Sequence, residues 1–115
     1  MTRVMIVEDE TMIAMLLEDM LVDLGYEVAA SIQGLAEATS VARSVAIDIA
    51  VLDINLAGAV SFPVAEILRR RHIPFVFATG YGAGALGGRF AGVPVVTKPF
   101  AAAQLAQAFR CAQAA

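Results

Sequence analysis

At 115 residues the chain is the length of one domain, able to bury roughly two-thirds of its unfolded surface in a single core without staples. Its apolar share is 59%, much of it alanine, yet no apolar stretch nears the ~20 residues of a bilayer span, and Met1-Thr2-Arg3-Val4 lacks a signal-peptide layout. A formal charge of −3 argues against nucleic acid as the main partner, and the lone Cys111 fits a reducing, cytoplasmic setting.

The chain opens on an apolar strand, Val4-Met5-Ile6-Val7, which runs into Glu8-Asp9-Glu10. Met12, Ile13, Leu16, Leu17, Met20, Leu21 and Leu24 then follow helical spacing, with Gly25 as the stop. Glu27-Val28-Ala29-Ala30-Ser31 is a weaker second strand, and Leu35, Ala38, Val41, Ala42 and Val45 stripe a second helix. Ile49-Ala50-Val51-Leu52, almost wholly apolar, suits a central strand covered on both faces, and it ends on Asp53. Pro63 fits the first turn of a third helix that turns Val64, Ile67 and Leu68 inward. The run Arg69-Arg70-Arg71-His72 reads as its solvated end, favoured by the helix dipole.

After Ile73-Pro74, the fourth strand Phe75-Val76-Phe77-Ala78 runs into Thr79. From Gly80 to Gly92 there are six glycines in thirteen residues, where a fourth helix is due. Gly84, Gly87 and Gly88 each cost about 1 kcal/mol against alanine, so a short, frayed or disordered helix is expected, and this segment is the expected moving part. Val93-Pro94 opens a fifth strand, Val95-Val96-Thr97, followed by Lys98-Pro99; Leu105, Ala108, Phe109 and Ala112 line a last helix. Five strand–helix alternations predict an α/β fold with a doubly wound parallel sheet and right-handed crossovers.

In such a sheet, ligands bind beyond the carboxyl ends of the strands. Four strand ends here carry Glu8 and Asp9, Asp53, Thr79, and Lys98. The three acids form a hard-oxygen set suited to Mg²⁺. Lys98 offsets part of their charge, leaving Asp53 able to act as a nucleophile towards a phosphoryl group. Mg²⁺ and Lys98 would then stabilise the equatorial oxygens, with Thr79 donating to one of them. Singly, Asp53 could be a turn residue, Thr79 a cap and Lys98 a surface charge. Their joint placement on four strands carries the reading.

The pair Glu8-Asp9, the context Val51-Leu52-Asp53-Ile54-Asn55-Leu56, Thr79 and Lys98-Pro99-Phe100 resemble the motifs of response-regulator receiver domains of two-component signalling. The resemblance covers essentially the whole chain. It implies a flavodoxin-like five-stranded sheet of order 2-1-3-4-5 and a single receiver domain over 1–115, stand-alone, with no output domain following. It also implies that Asp53 accepts phosphate from a histidine kinase or a histidine phosphotransfer protein. Asp9 and Asp53 would hold Mg²⁺ by side chain, Asn55 by its backbone carbonyl and Glu8 through water. Thr79 would be the switch hydroxyl, and the Lys98–Pro99 bond would be cis. The signal would leave by contact with an unknown downstream protein, or the chain would serve as a phosphate sink. Such a protein promotes only its own phosphorylation and dephosphorylation and is not a turnover enzyme.

Phe75-Val76-Phe77-Ala78-Thr79-Gly80-Tyr81-Gly82 is similar, more narrowly, to the signature of FAT GUY single-domain receivers, often found beside HWE-type histidine kinases. Val95 stands where receivers usually carry an aromatic switch residue, and Tyr81 is the substitute. The common proline after the phosphoacceptor strand is missing from Leu56-Ala57-Gly58. Three other readings compete. A dehalogenase-type phosphatase would need a second acid where Asn55 stands, and a flavodoxin-like cofactor binder would meet repulsion from Glu8-Asp9-Glu10. The third is a phosphorylation-independent interaction module, which would normally have lost a site residue.

Overall fold

The structure is a computed structural model and describes residues 1–80, 86 and 88–114. Its strands and helices are β1 (Arg3–Val7), α1 (Thr11–Asp23), β2 (Glu27–Ile32), α2 (Leu35–Ser44), β3 (Ile49–Asp53), β4 (Asn55–Leu56), β5 (Ala59–Val60), α3 (Phe62–Arg70), β6 (Phe75–Thr79), β7 (Val95–Thr97) and α4 (Ala102–Ala114). Five strands form a parallel sheet in the order β2-β1-β3-β6-β7, which is 2-1-3-4-5 when the sheet strands alone are counted. This is the expected flavodoxin-like fold. No helix among the described residues is long and apolar enough to cross a membrane.

Alternation along each strand divides the core. Met5, Val7, Ala50, Leu52, Phe75 and Phe77 face one way, against Ala38 and Ala42 of α2 and Val64, Ala65 and Leu68 of α3. Val4, Ile6, Ile49, Val51, Val76 and Ala78 face the other, against Leu17 and Leu21 of α1 and Leu105 and Phe109 of α4. All five residues of β3 and of β6 are buried, as expected for central strands covered on both faces.

Several expectations need correction. The α1 stripe is narrower than its apolar residues suggested: Ala14, Leu17 and Leu21 are buried, while Met12 is 84% and Leu16 53% exposed. The sheet covers only one arc of a helix that is apolar well beyond it. Val45 has left α2 for an extended conformation. The arginine run is not simply solvated. Arg71 donates through Nη1 to the carbonyls of Ala42 (2.6 Å) and Val45 (3.0 Å), closing the end of α2, and the Arg69 guanidinium lies 4.7 Å from the centre of the Phe90 ring. The hairpin β4–β5 was not foreseen. The expected weak helix falls largely on residues 81–85 and 87, outside the described residues, whereas 88–92 form turns and the side chains of Leu86 and Phe90 are buried.

Candidate phosphoacceptor and metal site

Parallel pairing aligns the strand ends. Val7 lies opposite Leu52, Asp53 opposite Ala78, and Thr79 opposite Thr97. The residues that follow each strand therefore gather along one edge of the sheet. The backbone fixes them further. Glu8 N–H donates to the Ile32 carbonyl (3.0 Å), Ile54 N–H to that of Ala78 (3.2 Å), and Lys98 N–H to that of Thr79 (2.8 Å). The Lys98–Pro99 bond is cis.

Lys98 bridges two acids. Its Nζ donates to Glu8 Oε1 at 2.7 Å and to Asp53 Oδ2 at 3.1 Å. The second oxygen of Glu8 accepts the Glu10 N–H (3.1 Å), and Asp53 Oδ1 accepts the Asn55 N–H (3.3 Å). Asp9 is held from the hairpin, its Oδ2 accepting the Ala57 N–H at 3.0 Å. Carboxylate oxygens of Glu8, Asp9 and Asp53 all lie within 4.8 Å of one another.

Three carboxylates against one ammonium leave two negative charges uncompensated when all are ionised. The donors are hard oxygens, so the site fits a divalent cation of the Mg²⁺ class. Burial pushes the Glu8 carboxyl up to about 7; hydrogen bonds from Lys98 and the Glu10 N–H oppose the rise, and the nearby Asp53 charge adds to it. For Lys98, burial pulls the ammonium down, but its bonds to Glu8 and Asp53 outweigh this and leave it above its ordinary value.

Asp53 stands between two hollows. One, about 420 Å³, is lined by Asp9, Glu10, Asn55, Ala57, Gly80 and Lys98 with Asp53. The other, about 230 Å³, brings Asp53 together with Ile54, Asn55, Val60, Phe62, Thr79 and Gly80. Glu8, Asp9, Asp53, Asn55, Thr79 and Lys98 are thus all brought to one edge, although Asn55 is exposed and its side-chain Oδ1 accepts the Gly58 N–H (2.8 Å). Tyr81 lies outside the described residues. Val95 pairs with Phe77 and is partly buried against the core.

Two contributors were missed from the sequence. Ala57 supplies a main-chain donor to Asp9, and the absent proline was its signal. Ala57 and Gly58 have φ of 51° and 92°, the positive pair that a tight two-residue hairpin turn requires. Proline cannot adopt that φ and has no N–H to give. Phe62, beside Pro63, is the other, and only the fold reveals that it lines the Asp53 hollow.

The pattern of the response regulator receiver domain matches residues 4–110. No curated protein matches at a significant level. Among solved structures, the solution structure of SdrG from Sphingomonas melonis Fr1 is 42% identical, with a TM-score of 0.88 over 98% of this chain and 97% of that one. The BeF3-activated conformation of SdrG, from Pseudomonas melonis Fr1, is also 42% identical, with a TM-score of 0.81 over 95% and 93%. The response regulator PhyR from Brucella abortus is 35% identical with a TM-score of 0.85, over 96% of this chain but 47% of that one.

Proposed function

Because the chain belongs to the family of response regulator receiver domains, we propose that Asp53 accepts a phosphoryl group from a histidine kinase or a histidine phosphotransfer protein. An oxygen of Asp53 attacks the phosphorus of a phosphohistidine; the new P–O bond forms as the P–N bond breaks, and the imidazole leaves with the electron pair. The observation that carries this reading is the Lys98 ammonium, shared by Asp53 and Glu8 and tied through its own N–H to the Thr79 carbonyl. Lys98 stabilises charge developing on the phosphoryl oxygens, and the Thr79 hydroxyl donates to one of them. Asp9 and Asp53 by side chain, Asn55 by its backbone carbonyl and Glu8 through water would hold Mg²⁺, which supplies charge neutralisation when bound.

A relative 42% identical to this chain adopts a BeF3-activated conformation, which supports a switch driven by a phosphoryl group here. We read Thr79 and Tyr81 as the switch residues. The run from Phe75 to Gly82 supports the narrower FAT GUY type, with an HWE-type kinase as donor. The output is contact with a downstream protein or drainage of phosphate from the kinase. Incubation with acetyl phosphate and Mg²⁺ should add the mass of one phosphoryl group to the intact protein, and Asp53→Asn should gain none. An equal gain by Asp53→Asn would refute the assignment.

A further inference from the structure

The half-buried ring of Phe62, at the start of α3, lines the hollow it shares with Asp53 and Thr79. The same ring packs 5.2 Å from that of Phe90 and 6.0 Å from that of Phe77. Phe90 in turn lies 5.4 Å from Phe77 and 6.0 Å from Phe75, so four aromatic rings form one cluster between α3, β6 and the turns before β7. Two exposed arginines clasp it. The Arg89 guanidinium is 4.5 Å from the centre of Phe62 and 5.4 Å from that of Phe90, while Arg69 is 4.7 Å from Phe90.

Phe90 is held at φ 55°, a left-handed conformation that a bulky L residue adopts only under constraint. Such backbone persists where surrounding contacts over-determine it. Here the contacts are the burial of the ring and the two guanidiniums. Neither the acid site nor the sheet needs this arrangement, yet Phe62 belongs to both the hollow and the clasp.

We propose that Phe62 is a lever joining the Asp53–Thr79 hollow to the Arg89–Phe90 clasp: a phosphoryl group in the hollow turns the Phe62 ring, frees Phe90 from its strained conformation and releases Arg89. This rests on Asp53 being the phosphoacceptor. Among the apolar walls of the hollow, Ile54 is buried and pinned on both sides of its peptide, donating to the Ala78 carbonyl and accepting the Ser61 N–H at 2.8 Å. Val60 is 46% exposed, so its movement passes nothing to the core. Among the described apolar walls, Phe62 is the one that packs on the ring cluster. A phosphoryl dianion beside an aromatic ring favours the ring's positive edge over its negative face, which gives the ring reason to turn. Once it turns, Phe90 and Arg89 lose a shared contact, and the strain at Phe90 favours release.

The test is NMR of the uniformly labelled protein with Mg²⁺ and beryllofluoride as the phosphoryl mimic. Ring signals of Phe62 and Phe90 and the Arg89 Nε–H should shift along the same saturation curve as the amides around Asp53. If the Asp53 amides move while Phe90 and Arg89 stay fixed at saturation, the lever is wrong and the phosphoacceptor reading stands. If nothing moves, the phosphoacceptor reading fails and takes the lever with it. Linkage is reciprocal, so a weaker clasp must favour the filled hollow. Arg89→Gln, exposed and lining neither hollow, should tighten mimic binding about two- to fivefold, the worth of one exposed cation–π contact. Unchanged or weaker binding overturns the coupling.

Discussion

Divalent-metal binding to the acid cluster should weaken about tenfold between pH 8 and pH 6. The buried Glu8 carboxyl titrates at about 7, so about nine-tenths of it is ionised at pH 8 and about one-tenth at pH 6. A metal ion drawing on the ionised carboxylate, directly or through water, competes with that proton. Glu8→Gln should bind more weakly at pH 8 and lose most of the slope. In the metal-free protein the sign is opposite. The folded-state value lies above the ordinary value of 4.5, so the stabilisation from Glu8 is fully present below about 4.5 and is lost as pH rises through about 7. That loss is at most about 3 kcal/mol, and Glu8→Gln should abolish it. The chain has no tryptophan, so calorimetric Mg²⁺ titrations from pH 6 to 8, with urea unfolding read by circular dichroism, are the suitable assays. A flat affinity profile in the wild type, or an unchanged slope in Glu8→Gln, would refute the protonation argument.

Removing Lys98 leaves Glu8 and Asp53 facing each other without their shared cation; Lys98→Met should cost about 2–4 kcal/mol by urea unfolding in chelator, and clearly less in excess Mg²⁺. Ser61 is fully buried and its hydroxyl has no hydrogen-bond partner among the described residues; Ser61→Ala should therefore stabilise by about 1 kcal/mol, and a loss of stability would show that the hydroxyl is satisfied in solution. Ala57 sits at φ 51°, so Ala57→Gly should raise stability by about 0.5–1 kcal/mol in thermal unfolding. Ala57→Pro should lower stability in the same assay, because it removes the main-chain donor to Asp9 and cannot adopt the positive φ.

The sheet was legible because its central strands are apolar throughout and end on chemically distinctive residues. Asp53, Thr79 and Lys98 each follow a run whose period and composition identify a strand, and parallel pairing does the rest. What escaped notice depends on contacts between distant segments. Arg71 looks like any basic helix end until α2 stops beside it. Phe62 and Phe90 are twenty-eight residues apart, and no local periodicity announces that their rings meet. Ala57 carries its role in its main chain, which the side-chain pattern cannot express; the missing proline was the one trace of it. The apolar excess of α1 misled for the opposite reason, since hydropathy marks which residues are able to be buried, whereas the sheet covers only one arc.

The central claim is that Asp53 carries the phosphoryl group as an acyl phosphate. Treating the acetyl-phosphate-labelled protein with borohydride reduces an aspartyl phosphate to homoserine, which peptide mass spectrometry can locate. The account predicts homoserine at residue 53, only when Mg²⁺ was present during labelling and with no counterpart in the unlabelled protein. Homoserine at another aspartate, or a labelled protein that yields none, would contradict it.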